Sequence, residues 1–354
     1  MSSNIFVTVY EGLKAPCGNI LEFLDSLEFV PAQHDPRWSQ VYAKLDNEEF
    51  YIIVAHENGN IVGVSNFTVF NGPMGSIIHA NPYMGYGGCS CAPQKEIEVI
   101  HALMTALLKW AQKSGCITAS VGTPPFNEKL HDSYIAEFKP DYIYKKFYQY
   151  NYLDQHPVEK IGSRHRQRIL NEIRLAESSQ VKVTWATDRA QVEAWCDIYE
   201  EHHIRIGARP IPRELHLGIW DTFGTVGRAP LNLAYKGEQL LGGVMFVIGR
   251  GIVDAFSAGF NSEGMDLHAG VLTYNKAFNT FLEAGTQRFN WQSSPSRDSG
   301  VYKFKKRWGA LEGQYLILTK VLGNAEVFTS KTLSEVRDAY GAHFVLPYSL
   351  WEKK

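Results

Sequence analysis

One pattern of strands, turns and a helix occurs twice in this chain, at offsets of 170 to 179 residues, and it limits the fold more than any other feature. In the first copy, runs 50–55 and 61–70 are short, β-branched and aromatic, and they flank Glu57-Asn58-Gly59-Asn60. Asn and Gly supply the positive φ that a tight hairpin turn requires. In the second copy, runs 231–235 and 240–248 flank Lys236-Gly237-Glu238 in the same way. Each hairpin is followed by another strand-like run, then a helix, then a glycine and a short apolar strand. The first helix, 94–113, places Ile97, Ile100, Leu103, Met104, Leu107, Leu108 and Ala111 at helical spacing before Ser114-Gly115, and a strand follows over 116–121. Its counterpart is expected over 269–283, closed by Gly285 and followed by a strand at 288–291. Gly59 and Gly237 lie 178 residues apart, Gly63 and Gly242 179, and Gly115 and Gly285 170. A unit used twice accounts for these spacings. Its helical crossover implies one parallel strand pair inside a mostly antiparallel sheet, so the class is mixed α/β. The expected units are 1–155 and 156–354, with a further helix at 159–178 presenting Ile161, Ile169, Ile173 and Ala176 on one face.

Composition agrees with two compact units. The 354 residues are 45% hydrophobic and 20% charged, as in ordinary globular domains and unlike disordered or collagen-like chains. Lys plus Arg number 35 and Asp plus Glu 37, a net charge of −2, so no global positive field draws the chain to nucleic acid or acidic membrane. Cys17, Cys89, Cys91, Cys116 and Cys196 are odd in number and scattered, which reads as a thiol-reduced, cytoplasmic protein. No apolar run reaches 18 residues, and the start of the chain lacks a basic stretch followed by an apolar one, so neither a membrane span nor a signal peptide is expected. The only adjacent histidines, His202 and His203, do not share a helix face, and no metal site is expected.

Three segments carry groups suited to chemistry. Asn81-Pro-Tyr-Met-Gly-Tyr-Gly-Gly88 leads toward the first long helix; Gly85, Gly87 and Gly88 either turn backbone N–H groups toward a phosphate-bearing ligand or serve a sterically tight connection. Residues 139–174 hold eight lysines and arginines among six tyrosines and phenylalanines. That mixture suits a nucleotide-linked or phosphorylated partner, or else a solvated helix face over aromatic packing. Arg164, Arg166 and Arg168 fall in a helix's first turns, where the macrodipole disfavours cations, which hints at an external anion such as a cofactor phosphate. The third segment, 293–309, supplies the hydroxyls of Ser296 and Tyr302, the carboxylate of Asp298 and the amine of Lys305 directly after a strand. A cation there can stabilise an acyl-transfer oxyanion, and Asp298 can orient or deprotonate an amine.

Together these pieces resemble tandem GNAT-like acyltransferases, in particular Fem-type peptidyltransferases and the acetyltransferase-like proteins related to them. Phe304-Lys305-Lys306-Arg307-Trp308-Gly309 is similar to that family's Phe-Lys-x-x-Phe-Gly ending, with Trp for the second Phe. Residues 272–285 followed by Phe289-Asn290-Trp291, and Ser163-Arg164-His165-Arg166-Gln167-Arg168-Ile169, resemble its helix-strand unit and its arginine-rich helix start. Tyr86-Gly87-Gly88 and His34-Asp35-Pro36-Arg37-Trp38 are softer matches, and the whole likeness spans about residues 30 to 320. It implies transfer of an acyl or aminoacyl group to an amine, with Lys305 near the donor and Trp38, Tyr86, Arg205 and Tyr274 lining the substrate side. The donor is then an acyl thioester of coenzyme A or of an acyl carrier protein, or else an aminoacyl-tRNA. The acceptor is a small amine or a Lys or ornithine side chain of a peptide. The chain lacks the long helical arm of larger Fem proteins and the pyrophosphate loop Gln/Arg-x-x-Gly-x-Gly/Ala of acetyl-CoA-binding members. The other classes to weigh are a non-catalytic module that binds peptide or glycan and a nucleic-acid-binding protein built on the basic segment 139–174.

Overall fold

The computed structural model describes residues 5–80, 83 and 85–351. Its strands are β1 (Phe6–Glu11), β2 (Glu48–Glu57), β3 (Asn60–Gly72), β4 (Gly75–His79), β5 (Cys89–Cys91), β6 (Thr118–Gly122), β7 (Tyr142–Tyr152), β8 (Val181–Trp185), β9 (Leu231–Lys236), β10 (Gln239–Ile248), β11 (Ile252–Phe260), β12 (Arg288–Ser293) and β13 (Leu311–Val321). The chain divides into one compact unit of residues 1–147 and 313–354 and another of residues 148–312. This differs from the expected division at 155/156. The tail returns to the first unit because Ile317 to Val321 of β13 pair antiparallel with Gly122 to Thr118 of β6, and because Phe328, Val336, Tyr340, Val345 and Leu346 share an apolar cluster with Ile77.

In the first unit the strand order is β1-β2-β3-β4-β6-β13, with β5 alongside β3. Among the described residues of this unit only β4 and β6 run parallel. They are joined through the Glu96–Lys113 helix, whose Val99, Leu103, Met104 and Leu107 pack on Ile53, Phe67, Val69 and Ile78. Alternation along β2 and β3 sends the intervening residues to the opposite face. There lie buried Asn66, Thr68 and His79, together with Glu48, which His343 of the returning tail approaches to 3.4 Å.

The second unit repeats the plan in the order β7-β12-β11-β10-β9-β8, again with a single parallel pair, β11 and β12. The intervening helix is Ala269–Glu283, as its spacing predicts, and Leu272, Ala277, Phe278 and Phe281 bury against Val244, Phe246, Val253 and Phe289. The expected helix 159–178 is split into Pro157–Lys160 and Ser163–Ser178, with Gly162 as the N-cap of the longer piece. The aromatic stretch at 142–152 is strand β7, whose residues 148–152 pair with β12.

Candidate active site

A parallel strand pair that parts along its length leaves a fork whose facing backbone groups no longer bond to each other. In the second unit β11 and β12 are paired only from Ile252 to Asp254 and from Arg288 to Asn290. Two irregularities drive them apart there. On β11, Met245 opposes Ser257 and Phe246 opposes Ala255, so Phe256 is an extra residue. On β12, the register against β7 shifts between Asn290 and Gln292, and Gln292 takes φ +64°. Such bulges bend and twist a strand and re-aim the side chains beside them.

The last paired residues carry the chemistry. Val253 and Phe289 enter the core under the Ala269–Glu283 helix, so their neighbours Asp254 and Asn290 face the other side. Asn290 Nδ2 donates to Asp254 Oδ1, while Asp254 Oδ2 is buried without a hydrogen-bond partner. Burial disfavours the carboxylate and raises the Asp254 pKa to about 7, the Asn290 bond opposing only part of this. Asn290 Oδ1 accepts from Gln292 N at 3.0 Å. The carbonyls of Gln292 and Ser293 in turn accept from Lys305 Nζ at 3.3 and 2.9 Å. One chain of hydrogen bonds therefore links the carboxylate to the amine through the end of β12. Lys305 is buried on the Gly300–Arg307 helix, and desolvation lowers its pKa to about 7. A second buried pair lies past the bulge, where His216 Nε2 and Ser257 Oγ stand 2.9 Å apart and burial lowers the His216 pKa to about 3.

The helix that carries Lys305 is held at several points. Ser299 Oγ accepts from Tyr302 N at its start, and Gln149 Nε2 donates to Tyr302 O at 3.3 Å. Phe304 lies against Tyr274 and Trp291 at centroid distances of 5.5 and 6.0 Å. Tyr274 is thus packed beneath this helix, its phenol shifted upward by burial. Asp298 and Ser296 are exposed in the turn before the helix, where Ser296 O accepts from Ser299 Oγ. The Tyr302 hydroxyl is drawn to Glu312. Arg205 donates to Phe260 O and Ser262 Oγ at the far end of β11. Arg164 is exposed, and Arg168 pairs with Glu172.

The remaining candidates lie in the first unit. Trp38 is a core residue whose Nε1 donates to Ala32 O, and Tyr86 is buried edge-on against Tyr315 at 4.9 Å. Asn81, Pro82 and Met84 of the glycine segment lie outside the described residues. The rest of that segment fills the fork of its own unit. Ala80 N donates to Ser120 O and Gly87 N to Gly122 O at 2.8 Å. A Cβ on Gly87 would stand 2.8 Å from Ala80 Cβ. A Cβ on Gly88 would stand 2.5 Å from Pro124 Cδ, so at Gly87 and Gly88 the surroundings favour the tight-connection alternative over a phosphate cradle, whereas a Cβ on Gly85 would meet only Tyr315 Oη at 3.4 Å. The helix does not follow them directly either, since β5 intervenes and the first turn carries Glu96 and Glu98, which would repel an anion.

Residues 163–306 match the acetyltransferase (GNAT) domain family. The structure resembles that of FemX, with a TM-score of 0.65 at 13% identity over 87% of this chain and 96% of the other. The fold is GNAT-like and Fem-related. L-PGS from Bacillus licheniformis gives a TM-score of 0.56 at 12% identity, covering 92% of this chain and 95% of that one. A tandem GNAT protein from the clavulanic acid biosynthesis pathway gives 0.55 at 12% identity, with coverages of 91% and 100%. No curated protein matches the sequence. The tandem, mostly antiparallel α/β plan read from the duplication is therefore the observed one. Among the described residues no group of three or more His, Cys, Asp or Glu could hold a metal ion, and no helix is long and apolar enough to cross a membrane.

Proposed function

We propose that the protein is an N-acyltransferase working at the β11/β12 fork, moving an acyl group from a thioester of coenzyme A or of an acyl carrier protein to an amine. The acceptor we assign is a Lys or ornithine side chain of a peptide. The observation that carries this reading is the fork itself: its last paired residue is a buried carboxylate with one free oxygen, linked by hydrogen bonds to a buried amine. In the reaction, the amine nitrogen attacks the acyl carbonyl carbon and a C–N bond forms. Lys305, as ammonium, stabilises the oxyanion. Asp254 removes the proton from the nitrogen, the C–S bond breaks, and Asp254 passes that proton to the departing thiolate, leaving amide, thiol and the carboxylate as it started. Asp254 takes the role of base in preference to Asp298, because Asp298 is exposed in a turn whereas Asp254 sits at the fork with its pKa raised.

A second reading, aminoacyl-tRNA-dependent transfer, is favoured by the exposed Arg164 and Lys303 and by the likeness to FemX. The bond broken would then be an ester C–O bond. Intact-mass measurement of a peptide bearing free Lys or ornithine, incubated with acyl-CoA, acyl carrier protein thioesters or charged tRNA, tests both. The expected product is heavier by one acyl group, and Lys305→Ala or Asp254→Asn slows its formation by about 10². Turnover with charged tRNA alone selects the second reading. Full activity in both variants removes the site assignment, and no product with any donor leaves the binding-module reading.

A further inference from the structure

We infer that Glu172 is a positioning residue: through a two-pronged ion pair with Arg307 it sets the rotation of the Lys305 helix. This rests on Lys305 acting as proposed above. Glu172 is buried on the inner face of the Ser163–Ser178 helix beside Ile169, Ile173 and Ala176. A buried carboxylate is costly unless paired, and three guanidinium nitrogens meet this one. Arg307 Nη1 and Nη2 donate at 2.7 and 3.0 Å, and Arg168 Nε at 3.0 Å. Together they hold the Glu172 carboxyl below its ordinary pKa although burial alone would raise it. The paired fork geometry fixes direction as well as distance.

Arg307 is two residues beyond Lys305, roughly 200° further around the helix. The clamp therefore holds one side of the helix while Lys305 Nζ projects from the other toward the carbonyls of Gln292 and Ser293. A rotation of about 20° would carry a side-chain tip about 6 Å from the axis through roughly 2 Å. Misplacement of a catalytic group by about 1 Å can cost on the order of 10² in rate. Ser299 and Gln149 anchor the N-terminal half of the helix and Phe304 packs on Tyr274 and Trp291, while Arg307 adds a charged anchor in the last turn, which also carries Lys305. The clamp also accounts for one arginine of the helix start, since Arg168 answers to Glu172.

The test compares Glu172→Gln, Glu172→Ala, Arg307→Lys and the exchanged pair E172R/R307E with wild type, using Lys236→Ala, which breaks the exposed Lys236–Glu263 pair, as control. At a temperature where each variant is folded, Glu172→Ala is expected to lower kcat about tenfold or more, with KM for the donor within about twofold. Arg307→Lys, which cannot make the paired contact, should be intermediate, and the exchanged pair should recover part of the loss. A readout independent of turnover is the rate at which an amine-reactive reagent labels Lys305, followed by peptide mass spectrometry. Labelling at Lys305 should rise about tenfold in Glu172→Ala and stay unchanged in Lys236→Ala. Wild-type kcat and unchanged labelling in Glu172→Ala and Arg307→Lys would overturn the clamp. If the wild type transfers no acyl group but labelling responds as described, the acyltransfer reading fails while the clamp stands.

Discussion

Burial displaces Asp254 and Lys305 toward each other from opposite ends of the pH scale: the acid is raised to about 7 and the amine lowered to about 7. A carboxylate base works above its pKa and an ammonium below its own. Activity that needs both is therefore expected to peak near pH 7 and to fall on either side, seen as a bell in kcat/KM against pH. Lys305→Arg, whose guanidinium does not titrate in this range, should lose the alkaline limb, and a flat wild-type profile from pH 6 to 9 would contradict the assignment. The same shift bears on stability. Between the ordinary pKa of 3.8 and about 7, folded Asp254 holds more proton than the unfolded chain does. Stability is accordingly lost as pH rises through that window, by on the order of 2–4 kcal/mol. Asp254→Asn keeps the shape and removes the buried charge. It is expected to be slowed by about 10² yet to unfold at higher urea than wild type at pH 8, the two converging near pH 4. A variant less stable than wild type at pH 8 would show that the carboxylate is not the strained group. Asp254 was not legible in the sequence, because a single acid within Ile252–Phe260 belongs to no motif and its partner Asn290 is 36 residues on. The available signal was its setting, since an acid inside an apolar strand is rarely buried without a purpose.

At the scale of elements, the two forks start from the same parallel pairing and end differently. Beyond His79 and Ser120 the first is filled by Ala80 and residues 85–88, while beyond Asp254 and Asn290 the second parts at two bulges. The filling depends on backbone contact at Gly122, where a Cβ would lie 2.7 Å from Gly85 O and 3.3 Å from Tyr86 Cα. Backbone cannot step aside as a side chain can, so Gly122→Ala is expected to destabilise the protein by about 1–3 kcal/mol in chemical denaturation. An unchanged midpoint would mean that the segment is not packed as described. What could be read from sequence here followed locality. The Ala269–Glu283 helix was readable to its ends from apolar spacing and Gly285, and the hairpins from Asn58-Gly59 and Gly237. The aromatic part of the basic segment 139–174 reads as a binding surface because β12, the partner of residues 148–152, lies some 140 residues later. Lys305 is legible through the Phe304–Gly309 motif, but its burial comes from packing that no motif states.

For the whole molecule, the duplication revealed two units, while the tail's return to the first depends on β13 meeting β6, a pairing across roughly 195 residues that leaves no local trace in the sequence. Duplication alone would suggest two equivalent donor sites. The forks argue for one, because in the first unit Ala80 and Gly87 bond across to Ser120 and Gly122, whereas the β11–β12 pairing ends at Asp254 and Asn290. A glycine-permitted close approach of this kind is paid back in packing and leaves no slot for a ligand chain. Titration calorimetry with a non-transferable thioether analogue of the acyl thioester is therefore expected to give one donor bound per chain. If charged tRNA proves to be the donor, the same ratio is expected with a non-hydrolysable amide-linked aminoacyl-tRNA. The added discriminating measurement is hydrogen exchange: donor should protect amides of β11 and β12 and leave 85–88 and β6 unchanged. Two donors per chain, or protection appearing first at Gly87 and Gly122, would show that the first fork opens to ligand and that its glycines serve binding after all.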